Sequence, residues 1–254
     1  MIRVVWYNIN GIKGKAGDII GMMETEDIDV MMLQEASNID EELFKKLNTR
    51  LGRINCVLLC HTPNKHMATV IRTTKITSYG VVESEERLQV IKVESAGDSI
   101  TLVNHYGSHK KDVEHYENLE RCIGGHAIRG KLLFGGDHNA VTAASERTAN
   151  RNDANTHLLN NVLNGNNLQD LNTAMGVEKY HTFFRKGSSS RIDSVWGNRA
   201  AVQQVQMIEM YTKNGVHSDH LPTMVTIKNE VRRSRSGGAE QAVRYIFPKN
   251  RADS

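Results

Sequence analysis

The 254-residue sequence predicts an α+β protein, two packed β-sheets flanked by helices. Short β-branched or apolar runs outnumber the segments with helical spacing, and the two kinds lack the regular βαβ alternation of a doubly wound nucleotide fold. With 39% hydrophobic residues and only 3 Pro, the chain can bury a sizeable core as one large domain or two small ones.

The first strand is expected over residues 2–7, and others over 30–33, 54–60, 68–71, 88–93, 100–106 and 132–134, each bounded by Gly, Asn or Asp. Later strands are expected over 192–196, 205–210 and 223–227. Helical spacing marks 18–25, 39–50 led by Asn38, 113–122 led by Asp112, and 154–163 led by Asp153. Asn and Asp in those leading positions can cap free amide donors. Met22, Met23, Met31 and Met32 read as core filling. There is no internal repeat.

Composition excludes collagenous and wholly disordered classes. No apolar run approaches the roughly 20 residues of a membrane-spanning helix, and Met1 to Tyr7 has no signal-peptide core, so a soluble, intracellular protein is expected. Cys56, Cys60 and Cys122 form an odd set without paired zinc spacing, which argues against a disulfide framework or structural zinc. The formal charge of +3 lies in the last 26 residues, where six basic side chains face three acidic ones. Residues 1–228 are therefore formally neutral and are expected to form the folded domain, with 229–254 a basic flexible tail or linker.

Nearly every expected strand ends in polar residues that catalysis could use. Asn8 and Asn10 close the first, Glu35 follows Met31-Met32-Leu33-Gln34, Tyr106 ends Asn104-His105-Tyr106, and Asp137 with Asn139 follows Gly135-Gly136. Arg191-Ile192-Asp193 and Ser218-Asp219-His220 complete the set. Singly these are common turn formers; together they suit metal-assisted phosphodiester hydrolysis. A hard cation such as Mg²⁺ takes oxygen ligands, which Glu35 with Asn10 or Asp219 can supply. Asp137 is the candidate base, while Asn139, Tyr106 and His220 are donors for charge developing on phosphate. Asp193 could fix the His220 tautomer and favour its protonated form.

The ordered motifs Asn8-Ile9-Asn10-Gly11, Leu33-Gln34-Glu35, Asn104-His105-Tyr106, Gly136-Asp137-His138-Asn139, Arg191-Ile192-Asp193 and Ser218-Asp219-His220 resemble the endonuclease/exonuclease/phosphatase superfamily. His181-Thr182-Phe183-Phe184 adds a resemblance to the endonuclease domains of LINE-type non-LTR retrotransposons, which are similar to apurinic/apyrimidinic endonucleases. The resemblance implies a four-layered α/β sandwich and a Mg²⁺-dependent DNA endonuclease leaving 3′-hydroxyl and 5′-phosphate ends, with Mn²⁺ able to substitute. Carried over by motif, Glu35 binds the metal with help from Asn10 and Asp219, and Asn8 orients Asp137. Tyr106 and Asn139 contact the scissile phosphate, and Asp193 pairs with His220. The implied partners are double-stranded DNA, no membrane, and a reverse transcriptase domain in a longer polypeptide; the implied site of action is the nucleus. An abasic-site repair endonuclease and a phosphomonoesterase of the same superfamily are the alternatives.

The chain departs from the superfamily pattern twice. His138 stands where relatives often have an aromatic or aliphatic residue, and Gly107-Ser108-His109 replaces a common Pro-Asn pair. Both histidines stand between substrate contact and ordinary surface positions; at His109 either the imidazole replaces the amide donor or that edge is built differently. Lys13 and Lys15, Lys110 and Lys111, Arg147 and Arg151, and Arg185 and Lys186 offer a DNA track beside the motifs, with Lys13, Lys110, Arg147 and Arg185 the expected contacts. Of Phe183, Phe184 and Trp196, any could wedge against a base, but at least two are expected in the core.

Overall fold

The computed structural model describes residues 1–37, 39–60, 66–127, 130–211 and 217–228. The Asn38 cap and the basic tail from residue 229 lie outside the described residues. In chain order the elements are β1 (Ile2–Asn8), α1 (Ala16–Thr25), β2 (Val30–Gln34), α2 (Glu41–Gly52), β3 (Cys56–Cys60), β4 (Met67–Arg72), β5 (Ser78–Ser84), β6 (Leu88–Ser95), β7 (Asp98–Tyr106), α3 (Val113–Ala127) and β8 (Leu132–Asp137). After a 3-10 turn, Ala144–Glu146, follow α4 (Thr156–Gly165), β9 (Gln169–Asp170), α5 (Leu171–Ala174), β10 (Phe183–Arg185), β11 (Ser188–Ser190), β12 (Asp193–Gly197), α6 (Arg199–Val202), β13 (Val205–Met210) and β14 (Thr223–Ile227).

Two six-stranded sheets result, ordered β13-β14-β1-β2-β4-β3 and β5-β6-β7-β8-β12-β9, with β10-β11 a separate hairpin. Both are mixed, because β1 runs parallel to β2 and β7 parallel to β8 while their other neighbours are antiparallel. The period-2 alternation of side chains builds the layers. Val5 and Tyr7 of β1 pack with Ile19, Met22 and Met23 of α1 and Leu47 and Leu51 of α2, whereas Val4 and Trp6 face Leu102 and Leu133 of the other sheet. On that sheet's outer side, Leu132 and Phe134 pack with Leu119 and Ile123 of α3 and Leu159 and Val162 of α4. Helices, sheet, sheet and helices make the expected four-layered α/β sandwich.

Trp6 crosses between the sheets and donates its Nε1 hydrogen to Val103 O at 3.1 Å. Its ring lies where a side chain on residue 135 would begin, since a Cβ there would come within 2.9 Å of the indole, so the position requires Gly135. Gln34 Nε2 donates to Asn104 Oδ1 at 2.5 Å, and Asn104 Nδ2 to Leu33 O at 3.0 Å. These polar bridges join the ends of β2 and β7 directly beneath Glu35 and Tyr106.

Differences from the sequence expectation are local. Strand β5 was not foreseen, because this edge strand is half-exposed along its length and lacks an apolar run. Helix α2 is capped by Asp40, whose side chain accepts from Leu43 N at 2.7 Å. Asp112 accepts from His115 N at 3.2 Å, as expected of a cap. Asp153 does not cap α4: its carboxylate accepts from Val141 N at 2.9 Å and pairs with Arg147 instead. Among the described residues no helix is long and apolar enough to cross a membrane.

Candidate active site

The carboxyl ends of β1, β2, β7 and β8 lie side by side across the two sheets, and β12 starts beside the end of β8, with Asp193 opposite Asp137. That topology gathers residues distant in sequence. Asn8 is fully buried, and its Nδ2 donates to Asp137 Oδ2 at 2.8 Å and Glu35 Oε1 at 3.0 Å. Its Oδ1 accepts from Asn10 N at 3.0 Å, and Asn10 Nδ2 donates to Asp219 Oδ1 at 3.3 Å. One amide thus links Asp137 of one sheet to Glu35 and Asn10 of the other.

Asp137 is 1% exposed, and Asn139 N donates to its Oδ1 at 2.8 Å. Burial raises its pKa, and the neighbouring Asp193 raises it further. Asp193 takes the His220 Nδ1 hydrogen at 2.9 Å and a Thr182 hydroxyl hydrogen bond at 2.7 Å, leaving His220 Nε2 3.8 Å from Asp137 Oδ2. Burial opposes charge on His220, but Asp193 outweighs it and raises the imidazole to about 10. Ser218 completes this side, donating its hydroxyl to Asn8 O at 2.8 Å and accepting from His220 N at 3.2 Å.

On the open side, Glu35 is half-buried and accepts the Tyr106 hydroxyl at 2.9 Å on the oxygen that Asn8 also contacts. Burial, and next the Glu35 carboxylate, push the Tyr106 phenol far up, so it stays a donor at neutral pH. Arg87 lies over the Tyr106 ring at 5.6 Å. Asn10, Glu35 and Asn139 share left-handed backbone, with φ of 47°, 50° and 48°. Such conformations are held by surrounding bonds and cluster at functional sites; here Gly11 N binds Glu35 O at 2.9 Å and Asn139 Nδ2 binds Gly107 O at 2.9 Å. Gly107 has no alternative, because a Cβ would meet His138 O at 1.8 Å.

Asn8, Asn10, Glu35, Tyr106, Asp137, Asn139, Asp193, Asp219 and His220 therefore form one connected constellation. The substrate residues are more scattered. His109, Lys110, Lys13 and Arg185 are exposed. Lys15, rather than Lys13, docks on the site, its Nζ donating to Asn10 O at 2.8 Å and to Ile9 O. Arg147 differs from the expected free phosphate contact: its Nη2 is held by Asp153 Oδ1 at 2.5 Å and the side chain is 15% exposed. Of the three aromatics only Trp196 is buried; Phe183 is half-buried with its ring 4.8 Å from His220, and Phe184 is 49% exposed on the β10-β11 hairpin. That hairpin is tied to the site by Phe184 N to Asp219 O at 3.0 Å and Leu221 N to Thr182 O at 2.7 Å.

His138 is neither a surface residue nor a substrate contact. It is fully buried, with Nδ1 2.8 Å from His105 Nδ1, while His105 Nε2 lies 2.9 Å from His115 Nε2. His138 Nε2 is 3.2 Å from Ser194 O, which only accepts, so that nitrogen carries the hydrogen. Hydrogens then run from His115 Nε2 to His105 and from His105 Nδ1 to His138, with every ring neutral. Burial lowers all three, His138 to about 4.

Sequence reasoning gave no role to Thr182 and Arg87, and Arg191 of the Arg-Ile-Asp motif proves to be an anchor. Its buried guanidinium binds Asp170 at 2.9 Å through both terminal nitrogens and Glu146 at 3.0 Å, fixing the chain before Asp193.

No family model and no curated protein matches the chain at the sequence level. Solved structures do match in fold. The endonuclease domain of TRAS1, a telomere-specific non-LTR retrotransposon, aligns at TM-score 0.72 with 18% identity over 89% of this chain and 98% of that one. An AP endonuclease from Archaeoglobus fulgidus aligns at 0.69 with 17% identity over 90% of this chain and 100% of its own. The 3′ phosphatase NExo from Neisseria, bound to product DNA hairpin, aligns at 0.70 with 16% identity over 90% and 100%. The chain has the endonuclease/exonuclease/phosphatase fold.

Proposed function

We propose that this chain is a Mg²⁺-dependent DNA endonuclease, with Mn²⁺ as a substitute ion, that nicks double-stranded DNA to give 3′-hydroxyl and 5′-phosphate ends. The observation that carries the reading is the single hydrogen-bonded chain from Glu35 through Asn8 to Asp137, with the Asp193–His220 pair closing on the same carboxylate. Glu35, Asn10 and Asp219 offer only oxygen and amide donors, which suits a hard cation, and they would hold it. Bound there, the ion would neutralise charge on the phosphate and on the departing 3′ oxygen, which would take its proton from solvent.

Asp137 accepts the proton of the attacking water, its raised pKa matching that task. Asn8 and the Asn139 backbone hold its two oxygens in place. His220, kept cationic by Asp193, donates from Nε2 to a non-bridging phosphate oxygen. Asn139 Nδ2 spends one hydrogen on Gly107 O and has a second for phosphate. Tyr106 works mainly by holding Glu35. The set Asp137, Asp193 and His220 also lies close enough to ligate a metal. A direct Asp193–His220 hydrogen bond already occupies two of those donors, so the pair acts as phosphate donor and orienter.

The specific role proposed is target-site nicking for retrotransposon insertion. Supporting it are the likeness to the TRAS1 domain and the exposed Phe184 and Arg185 on a hairpin anchored beside His220. It places residues 1–228 as the catalytic unit, 229–254 as a basic tail, a reverse transcriptase as partner, and the nucleus as the site of action. The AP endonuclease and 3′ phosphatase neighbours favour two alternatives, abasic-site incision and phosphomonoester hydrolysis. Conversion of supercoiled plasmid to open circle, with and without Mg²⁺ and beside Asp137→Ala, is the test. Metal-dependent nicking by wild type alone supports the proposal; exclusive cutting at abasic sites, or phosphate release without strand cleavage, replaces it.

A further inference from the structure

Helix α3 follows β7 and leads into the parallel strand β8, so it runs back from the candidate active site and ends at the opposite end of the sheet. In its last two turns Cys122 and His126 stand four residues apart and share one helix face. Glu83 of the edge strand β5 faces them. His126 Nε2 lies 3.3 Å from Glu83 Oε1, and one ligand atom each of Glu83, Cys122 and His126 falls within 4.8 Å of the other two.

The carboxylate is there because the strand breaks its own period. Val81 pairs with Ile91, on the face between the sheets, whereas Glu83 pairs with Val90, on the face that packs against α3. Residues two apart on a regular strand share a face; the irregularity between Val81 and Glu83 inserts an extra residue and turns Glu83 toward the helix. Val82, the residue between them, is left 48% exposed.

We propose that Glu83, Cys122 and His126 form a second metal site, distinct from the oxygen-donor site and selective for Zn²⁺ or a similarly borderline divalent ion. Thiolate, imidazole and carboxylate are the zinc ligand set, and a tetrahedron with bonds of about 2.0–2.3 Å has edges of about 3.3–3.8 Å. The Glu83–His126 separation already equals such an edge. Small side-chain rotations bring Sγ to the same distance, and water fills the fourth position. The ion would also lie at the carboxyl end of α3, where the helix dipole favours a cation. A bound ion would join the edge strand to the helix layer, with displacement of the Cys122 thiol proton to solvent. Mg²⁺ has no affinity for such a thiolate site.

Cobalt(II) titration of the full chain tests this, because a cobalt–thiolate charge-transfer band reports Cys122 and cannot arise from the sulfur-free active site. The expected result is a stoichiometric band displaced by Zn²⁺, absent from Cys122→Ser, and a rise in thermal midpoint with Zn²⁺. His126→Ala, a change at the rim of the fold, should weaken Zn²⁺ binding about 100-fold or more, beyond the roughly 10–100-fold seen when only a supporting partner is lost. No thiolate band in folded wild type, or a band and Zn²⁺ affinity unchanged in His126→Ala, overturns the site.

Discussion

The two halves of the candidate active site are built oppositely. On one side Asp137, Asp193 and His220 are each at most 5% exposed and bonded to one another or to fixed partners such as Asn8 and Thr182. On the other, Glu35 is half-buried and Asn10 exposed, both in left-handed backbone at strand ends. The contrast separates two tasks. Proton transfer needs pKa values set by burial and close charge, whereas a hydrated cation and a DNA strand need access.

The largest effect should come from the closed half. Asp137→Asn should lower kcat about 10²–10⁴-fold with the thermal midpoint nearly kept, and His220→Ala should lower it as far when assayed at a temperature where the variant is still folded; nicking within threefold of wild type would remove these residues from the chemistry. On the open half, Asn10→Ala should raise the Mg²⁺ concentration for half-maximal activity by about 10–100-fold, with activity restored at saturating metal. A fall in kcat that metal cannot rescue would instead join Asn10 to the closed half.

The third effect is on stability. His220 is held above its unfolded value, so its contribution is complete below about pH 6.5 and is lost as pH rises through about 10. The gap in thermal midpoint between wild type and His220→Gln should therefore narrow from about pH 8 to about pH 11. A widening gap would mean that the imidazole is neutral in the folded protein. The smallest effect belongs to exposed Arg185 on the hairpin: Arg185→Ala should leave kcat unchanged, raise KM for DNA a few-fold, and reduce the salt slope of binding by about one. An unaltered slope would mean that Arg185 does not touch phosphate.

The closed half was largely legible in sequence because each member ends a strand or sits in an ordered motif. Thr182 was not, since its bond to Asp193 depends on a short hairpin whose register no period signals. His138 was misread because a lone polar residue between Asp137 and Asn139 looks like loop, and only the fold supplies His105 and Ser194 as partners. Arg147 looked like a free cation until Asp153 met it across a loop. Strand ends and core faces follow from local pattern; the pairing of polar side chains across the sandwich does not.

The left-handed backbone at Glu35 also sets stability against activity. Replacing Glu35 with Gly should relieve on the order of 1 kcal/mol of backbone strain while deleting the proposed cation ligand and the acceptor shared by Asn8 and Tyr106. Selection of this protein for heat resistance alone would therefore favour replacements that relax the turn and still leave those two donors an acceptor, and a library scored for both stability and nicking would separate the two demands.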